Sequence, residues 1–208
     1  MNARPILFVI SGPSGSGKGT ALEIIRRSCP DIERVTTYTT RSPRENERPG
    51  RHYHFVTEAD FFRLVSEGEI VEYSTPYGDY FYGSPRSILE IGNKRDSVIE
   101  LDYRGMLRAR SLAERRVVSV FLVTPTLTDL QGRIGRRARE ANLADRIGAA
   151  REQLQFAWAY DYVLLNDDPK TFESQLLDIV RAEQLRRRGC LLLQRAELSI
   201  PPDPRASR

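Results

Sequence analysis

The sequence predicts an α/β fold: a parallel sheet flanked by helices, with a small β-rich insertion. Three observations lead there. Short apolar, β-rich runs alternate with segments of helical periodicity; a glycine loop joins the first run to the first such segment; and residues 35–84 break the rhythm.

The runs Ile6 to Ile10, Ser97 to Leu101, Val117 to Val123 and Tyr162 to Leu165 read as buried strands, because strands covered on both faces are continuously apolar. Helices are expected over Gly17 to Ser28, Glu58 to Ser66, Pro85 to Ile91, Arg104 to Glu114, Leu127 to Arg137, Ala144 to Ala157 and Thr171 to Arg187. Parallel strands need such crossovers. The interruption at 35–84 is rich in Thr, Tyr, Arg and Gly and carries Tyr73, Tyr77, Tyr80, Phe81 and Tyr82. A second interruption, Gly135 to Asn142, is charged and places three Arg between helical segments, the composition of a mobile lid.

A chain of 208 residues with 40% hydrophobic residues suffices for one substantial core. We therefore expect one domain, with core 1–34 and 85–183, an insertion at about 35–84, a lid at about 133–146, and a flexible basic tail at 184–208. The apolar run Pro5 to Ser11 is too short for a signal-peptide core or a membrane span, so a soluble, cytoplasmic protein without membrane partners is expected. Cys29 and Cys190 lie far apart without metal-ligand spacing and read as unpaired thiols.

The net charge of +4 belongs to the end of the chain. From Arg181 onward, Arg181, Arg186, Arg187, Arg188, Arg195, Arg205 and Arg208 stand against Glu183, Glu197 and Asp203, leaving the body neutral. A basic terminus containing Pro201, Pro202 and Pro204 reads as solvated chain, and nucleic acid is not an expected partner.

After the first strand comes Gly12-Pro13-Ser14-Gly15-Ser16-Gly17-Lys18-Gly19-Thr20, opening directly into a helical pattern. Strand, glycine loop and helix in that order make a phosphate cradle. Glycines let backbone N–H groups close around phosphate oxygens, the helix N-terminus adds partial positive charge, and Lys18 adds a full one. ATP is the expected ligand. The loop pattern puts Ser or Thr directly after the lysine; here Gly19 intervenes and the hydroxyl falls on Thr20, an arrangement similar to the loop of adenylate kinases.

Downstream follow Thr39-Thr40-Arg41-Ser42-Pro43-Arg44, Gly50-Arg51-His52-Tyr53-His54-Phe55, Ile70-Val71-Glu72-Tyr73, Phe81-Tyr82-Gly83-Ser84, and Val98-Ile99-Glu100-Leu101-Asp102 with Gly105. In this order they resemble the guanylate kinase family, over roughly residues 5 to 180. The resemblance implies a P-loop NTPase-type parallel sheet flanked by helices, with a small mixed-β GMP-binding insertion and a helical lid. It implies transfer of the γ-phosphate of ATP to GMP, in purine nucleotide metabolism, with Mg²⁺ as cofactor. A ribose bisphosphate kinase of related fold and a catalytically silent interaction domain of the same fold are the alternatives.

The residues carry chemistry of their own. Two arginines three apart on a Pro-containing segment can face one phosphate dianion, and tyrosine hydroxyls can complete its contacts. By resemblance Arg41, Arg44, Tyr53 and Tyr82 form that clamp. Glu72 sits in an apolar run, where a buried carboxylate without a partner would cost several kcal/mol. Guanine offers it two adjacent donors, the ring N1–H and the exocyclic amine, whereas adenine presents an acceptor at N1. The family assigns Glu72 to that edge, Thr37 and Ser84 to hydroxyl contacts with the base, and Asp102 to a further amine contact or the metal environment. Glu100 and Asp102 share a strand face, since the side-chain period is two; the family has Asp at the earlier position and Gln where Arg104 stands.

Phosphoryl transfer needs alignment and neutralised charge more than covalent help. By resemblance Arg133, Arg137 and Arg146 close over the transferring phosphate while Lys18 and Mg²⁺ hold the donor. The lid is two residues shorter than the family spacing and has Ala138-Arg139-Glu140-Ala141 in place of Gly-Thr-Asp-Ser, so Arg136 and Arg139 stand as alternatives to Arg137 and Arg146. Asn166, after the last strand, is expected near the ATP adenine. His52 and His54 read as structural or surface residues.

Overall fold

The computed structural model describes residues 4–75, 80–89, 95–135 and 143–195, the side chains of 143, 145, 146 and 190–195 excepted. In chain order the elements are β1 (Ile6–Ser11), α1 (Lys18–Ser28), β2 (Glu33–Arg34), β3 (Thr37–Thr39), β4 (Tyr53–Phe55), α2 (Glu58–Ser66), β5 (Ile70–Ser74), β6 (Tyr82–Pro85), β7 (Ser97–Glu100), α3 (Tyr103–Leu112), β8 (Arg116–Val123), α4 (Leu127–Gly135), α5 (Leu143–Leu154), β9 (Tyr162–Leu165) and α6 (Pro169–Arg195).

The main sheet has the order β2-β7-β1-β8-β9, and every pairing in it is parallel. All six residues of the central strand β1 are buried. Alternation sends Phe8 and Ile10 to one face, against Leu22 and Ile25 of α1 and Phe172 and Leu176 of α6. Leu7 and Val9 go to the other face, against Met106 and Ala109 of α3. Each such side chain contributes about 1.5–3 kcal/mol by leaving water, which is why this apolar pattern locates the sheet so firmly.

The insertion forms a second sheet, β4-β3-β6-β5, in which β3 and β4 run parallel and the other pairs antiparallel. Helix α2 begins where the Thr57 hydroxyl accepts the Asp60 N–H at 3.1 Å, a cap worth about 1 kcal/mol. It then packs Phe61 and Phe62 against Tyr73 and Phe81, with Phe62 and Phe81 edge-to-face at 4.9 Å.

Several expectations change in detail. The helix expected over Pro85 to Ile91 is a 3₁₀ turn at Arg86–Ile88, because Pro85 still pairs with Ile70 as the end of β6; residues 90 and 91 lie outside the described residues. The helix expected to end at Ala157 stops at Leu154, and a separate turn follows at Ala157–Ala159. Strand β2, two polar residues long, carries no apolar signal and exists through pairing with β7.

The last helix, expected to end at Arg187, runs to Arg195, so residues 188–195 of the expected tail are helical as well. The helix is anchored by Asp96, which is 3% exposed. It accepts the Ile6 N–H at 2.8 Å and the Gln184 side-chain amide at 2.9 Å, and it pairs with Arg187. Cys29 is a buried free thiol whose pKa burial pushes up. Among the described residues no helix is long and apolar enough to cross a membrane.

Candidate functional site

At the carboxyl end of the main sheet, ligands collect where strands stop and helices begin. A cleft of about 1110 Å³ opens there, lined on one side by the glycine loop and on the other by the insertion. Its volume suits more than one small ligand.

The loop from Gly12 to Thr20 joins β1 to α1. Gly17 takes a left-handed conformation with φ +102°, and a Cβ there would lie 2.0 Å from the Asn166 side-chain nitrogen, so only glycine fits. That same nitrogen donates to the Ser16 carbonyl at 2.8 Å, while Arg133 Nη2 donates to the Asn166 carbonyl at 3.1 Å. Asn166 thus braces the loop and lines the cleft as well. Pro13 and Ser16 are buried; Ser14, Gly15, Gly19 and Thr20 line the cleft. Lys18 Nζ donates to the Gly12 carbonyl at 2.7 Å and the Pro13 carbonyl at 3.1 Å, and it stands 3.7 Å from Glu100 Oε1.

Across the cleft, Arg41 lies over the rings of Tyr53 and Phe55, 5.5 and 5.8 Å from their centroids, and its Nε donates to the Tyr82 hydroxyl at 3.2 Å. Its Nη1 and Nη2 both meet Glu47, each at 2.9 Å, and the Arg44 N–H donates to the same carboxylate at 2.8 Å. Burial raises the Glu47 pKa and these bonds outweigh it, holding the carboxyl below its usual range. The Arg44 side chain stays exposed at the rim. Sequence reasoning passed over Glu47. Its only signal is its spacing, three residues after Arg44 and six after Arg41.

Deeper in the cleft, Glu72 on β5 pairs in register with Ser84 on β6, whose hydroxyl donates to Glu72 Oε1. Thr37 and Ser84 are 8% and 0% exposed. Burial drives the Glu72 pKa from 4.5 to about 7, Asp102 nearby adds to the rise, and Ser84 and Arg108 oppose it. Asp102 caps α3, its Oδ1 accepting the Gly105 N–H at 2.8 Å. Gly105 lets α3 approach, since a Cβ there would lie 3.1 Å from Glu72 Oε1.

The structure therefore gathers Thr37, Arg41, Arg44, Tyr53, Glu72, Tyr82, Ser84, Glu100, Asp102 and Arg133 with the glycine loop around one cleft. Arg137, with Arg136 and Arg139, lies outside the described residues; Arg146 falls in α5, its side chain outside them too. Arg104 points away, pairing with Tyr103 and Glu152. His52 accepts the Arg48 N–H at 3.0 Å and His54 packs on Tyr38, both structural arrangements. Among the described residues no three His, Cys, Asp or Glu side chains form a metal cluster.

A phosphate loop facing a second, carboxylate-floored pocket across the end of a parallel sheet defines the nucleoside-monophosphate kinase class of P-loop proteins. The particular family follows from its relatives. The guanylate kinase family model matches residues 3–183. Guanylate kinase of Rhizobium meliloti is 35% identical over 188 residues, covering 88% of this chain and 85% of that one. Guanylate kinase of Cereibacter sphaeroides is 36% identical over 193 residues, covering 90% of each. The crystal structure of guanylate kinase from Anaplasma phagocytophilum superposes with a TM-score of 0.74 at 29% identity, covering 95% of this chain and 98% of that one. The chain belongs to the guanylate kinase family.

Proposed function

We propose that the protein transfers the terminal phosphate of ATP to GMP, giving ADP and GDP. The observation that carries this reading is the Glu72 pocket: a carboxylate withdrawn from water, held by Ser84 and facing the same cleft as the phosphate loop. Such a carboxylate is satisfied by the two adjacent donors of guanine. Adenine would leave it opposed to a ring acceptor, and a site built on such a polar pair can discriminate by up to ~10⁴-fold.

The roles divide along the cleft. Loop amides from Gly12 to Thr20 and Lys18 hold the ATP phosphates, and Asn166 keeps the loop in shape. Arg41 and Arg44 with the Tyr53 and Tyr82 hydroxyls hold the GMP phosphate; Thr37, Ser84 and Asp102 complete the contacts of the base. Arg133, and Arg137 and Arg146 from the lid, supply charge to the transferring group. As the acceptor oxygen bonds to phosphorus, the bond to the ADP oxygen breaks, and these cations neutralise the spread charge. Mg²⁺ bound with ATP would supply further neutralisation of the phosphates, held by Thr20, Glu100 and Asp102 directly or through water; the few protein ligands here suit a hydrated ion that arrives with phosphates. With ATP and GMP as substrates, the setting is purine nucleotide metabolism in the cytoplasm.

A silent interaction domain would have no use for an intact loop with its lysine, and a ribose bisphosphate kinase none for a guanine-reading carboxylate. Coupled measurement of ADP production with GMP, AMP and ribose 1,5-bisphosphate tests the assignment: GMP should be strongly preferred, and comparable turnover of AMP would sink it. Lys18→Ala should reduce turnover by ~10²-fold or more while leaving the melting temperature unchanged. Undiminished turnover would remove the mechanism.

A further inference from the structure

Arg34 lies outside every group of arginines expected at the site, yet it lines the same cleft. It is the last residue of β2, in parallel register with Val98 of β7, two positions before Glu100. Residues in register project to the same face, and the period of two places Glu100 on that face as well. Glu100 in turn stands 3.7 Å from Lys18 Nζ. On its other side, Arg34 Nη2 reaches the His52 carbonyl at 3.4 Å, one residue before Tyr53. The guanidinium therefore occupies the junction of the two halves of the cleft, with Lys18 and Glu100 on one flank and the Arg41–Tyr53 clamp on the other.

Its bonding is unusual for a half-buried cation. Burial lowers the Arg34 pKa, Glu100, Tyr53 and Glu23 oppose that, and Arg51 adds to it. Among the described residues, the long bond to His52 is the only hydrogen bond or ion pair that the guanidinium makes. Arg41, by contrast, is already engaged by both oxygens of Glu47. A guanidinium carries five donors in a rigid fork suited to phosphate. Four of them make no bond among the described residues and can meet an oxyanion entering between the phosphate loop and the clamp.

We propose that Arg34 is a catalytic residue: its guanidinium contacts the phosphoryl group in transit between donor and acceptor. It stays protonated throughout, and its task is to neutralise charge on the equatorial oxygens while one P–O bond forms and the other breaks. Lys18 serves the donor phosphates and Arg41 the acceptor phosphate, whereas Arg34 serves the group that passes between them. The inference rests on the ATP:GMP reading above.

The test measures kcat at saturating ATP and GMP for Arg34→Met, Arg34→Lys and Arg34→Ala, with GMP affinity measured separately by calorimetry. Arg34→Met should lower kcat by ~10²-fold or more while GMP affinity changes less than about threefold. Arg34→Lys should recover part of the loss. Guanidinium chloride at millimolar levels should raise the turnover of Arg34→Ala, which a packing role would not allow. Arg34→Met with kcat within about twofold of the native protein, or with GMP affinity alone reduced, would overturn the proposal, as would Arg34→Ala unresponsive to guanidinium. A native protein inactive on GMP would instead overturn the functional reading, so the two failures are distinct.

Discussion

Replacing Glu72 by glutamine separates what the base pocket does for specificity from what it does to stability. A carboxyl whose pKa moves from 4.5 to about 7 carries at most about 3 kcal/mol of cost in its ionised form. The sign follows from linkage. Because the folded value lies above the unfolded one, the protonated carboxyl favours the fold fully below pH 4.5, and that contribution is lost as pH rises through 7. Glutamine removes the ionisation. Unliganded Glu72→Gln should therefore gain stability over the native protein as pH rises from 5 to 8, by up to roughly 5–10 °C in melting temperature at pH 8 for a chain of this size. Turnover should move the opposite way. The amide keeps one acceptor and gains a donor that opposes guanine, so kcat/KM for GMP should fall by ~10³- to 10⁴-fold while KM for ATP stays put. The native enzyme should reproduce part of this on its own: below pH 7 the protonated carboxyl loses an acceptor, so KM for GMP should rise and preference over AMP should shrink. Thermal melts at pH 5, 6, 7 and 8 beside steady-state kinetics decide the matter. A melting difference independent of pH, or unaltered GMP turnover in Glu72→Gln, would refute the reasoning.

Two further outcomes can be checked with the same assays. Gly105→Ala sets a methyl group 3.1 Å from the Glu72 carboxylate, so KM for GMP should rise about tenfold with KM for ATP unchanged and helix stability slightly improved; an unmoved KM for GMP would show that α3 yields at no cost. Glu47→Gln leaves Arg41 without its charged partner, so KM for GMP should rise roughly 5–50-fold with little change in kcat; an equal fall in kcat would place Glu47 in the chemical step instead.

The central sheet was legible because its strands are continuously apolar and its glycine loop is local. Ile6 to Ser11 needs only its own composition to read as a buried strand, and the loop after it only its own spacing. Glu72 stood out as a charge out of place in an apolar run, and the structure sets it in the cleft beside Ser84. What escaped depends on distant partners. Strand β2 is the two polar residues Glu33 and Arg34, made a strand by β7 more than sixty positions later in the chain. Glu47 looks like one more solvated charge in a polar loop until the chain folds back on Arg41. The bond from the Asn166 amide to the Ser16 carbonyl, which braces the loop, joins residues 150 positions apart and has no local signal. The last helix outruns its expected end at Arg187 by eight residues, and the pairing of Arg187 with buried Asp96, more than ninety positions earlier, has no local signal.

That pairing bears on where the chain can be shortened. The family match ends at residue 183, one position before Gln184 and four before Arg187. A polypeptide trimmed to the family boundary would keep the whole cleft yet take Gln184 and Arg187 from the Asp96 carboxylate at the opposite, amino-terminal edge of the sheet, leaving it the Ile6 amide and the charge of nearby Arg115. Removing one partner of a buried ion pair destabilises by up to about 3–5 kcal/mol, the upper figure where no other cation remains, and even a fraction of that matters to a domain held by roughly 5–15 kcal/mol. The minimal folding unit thus outruns the minimal reacting unit by at least one helical turn, and homology alone draws the border too early.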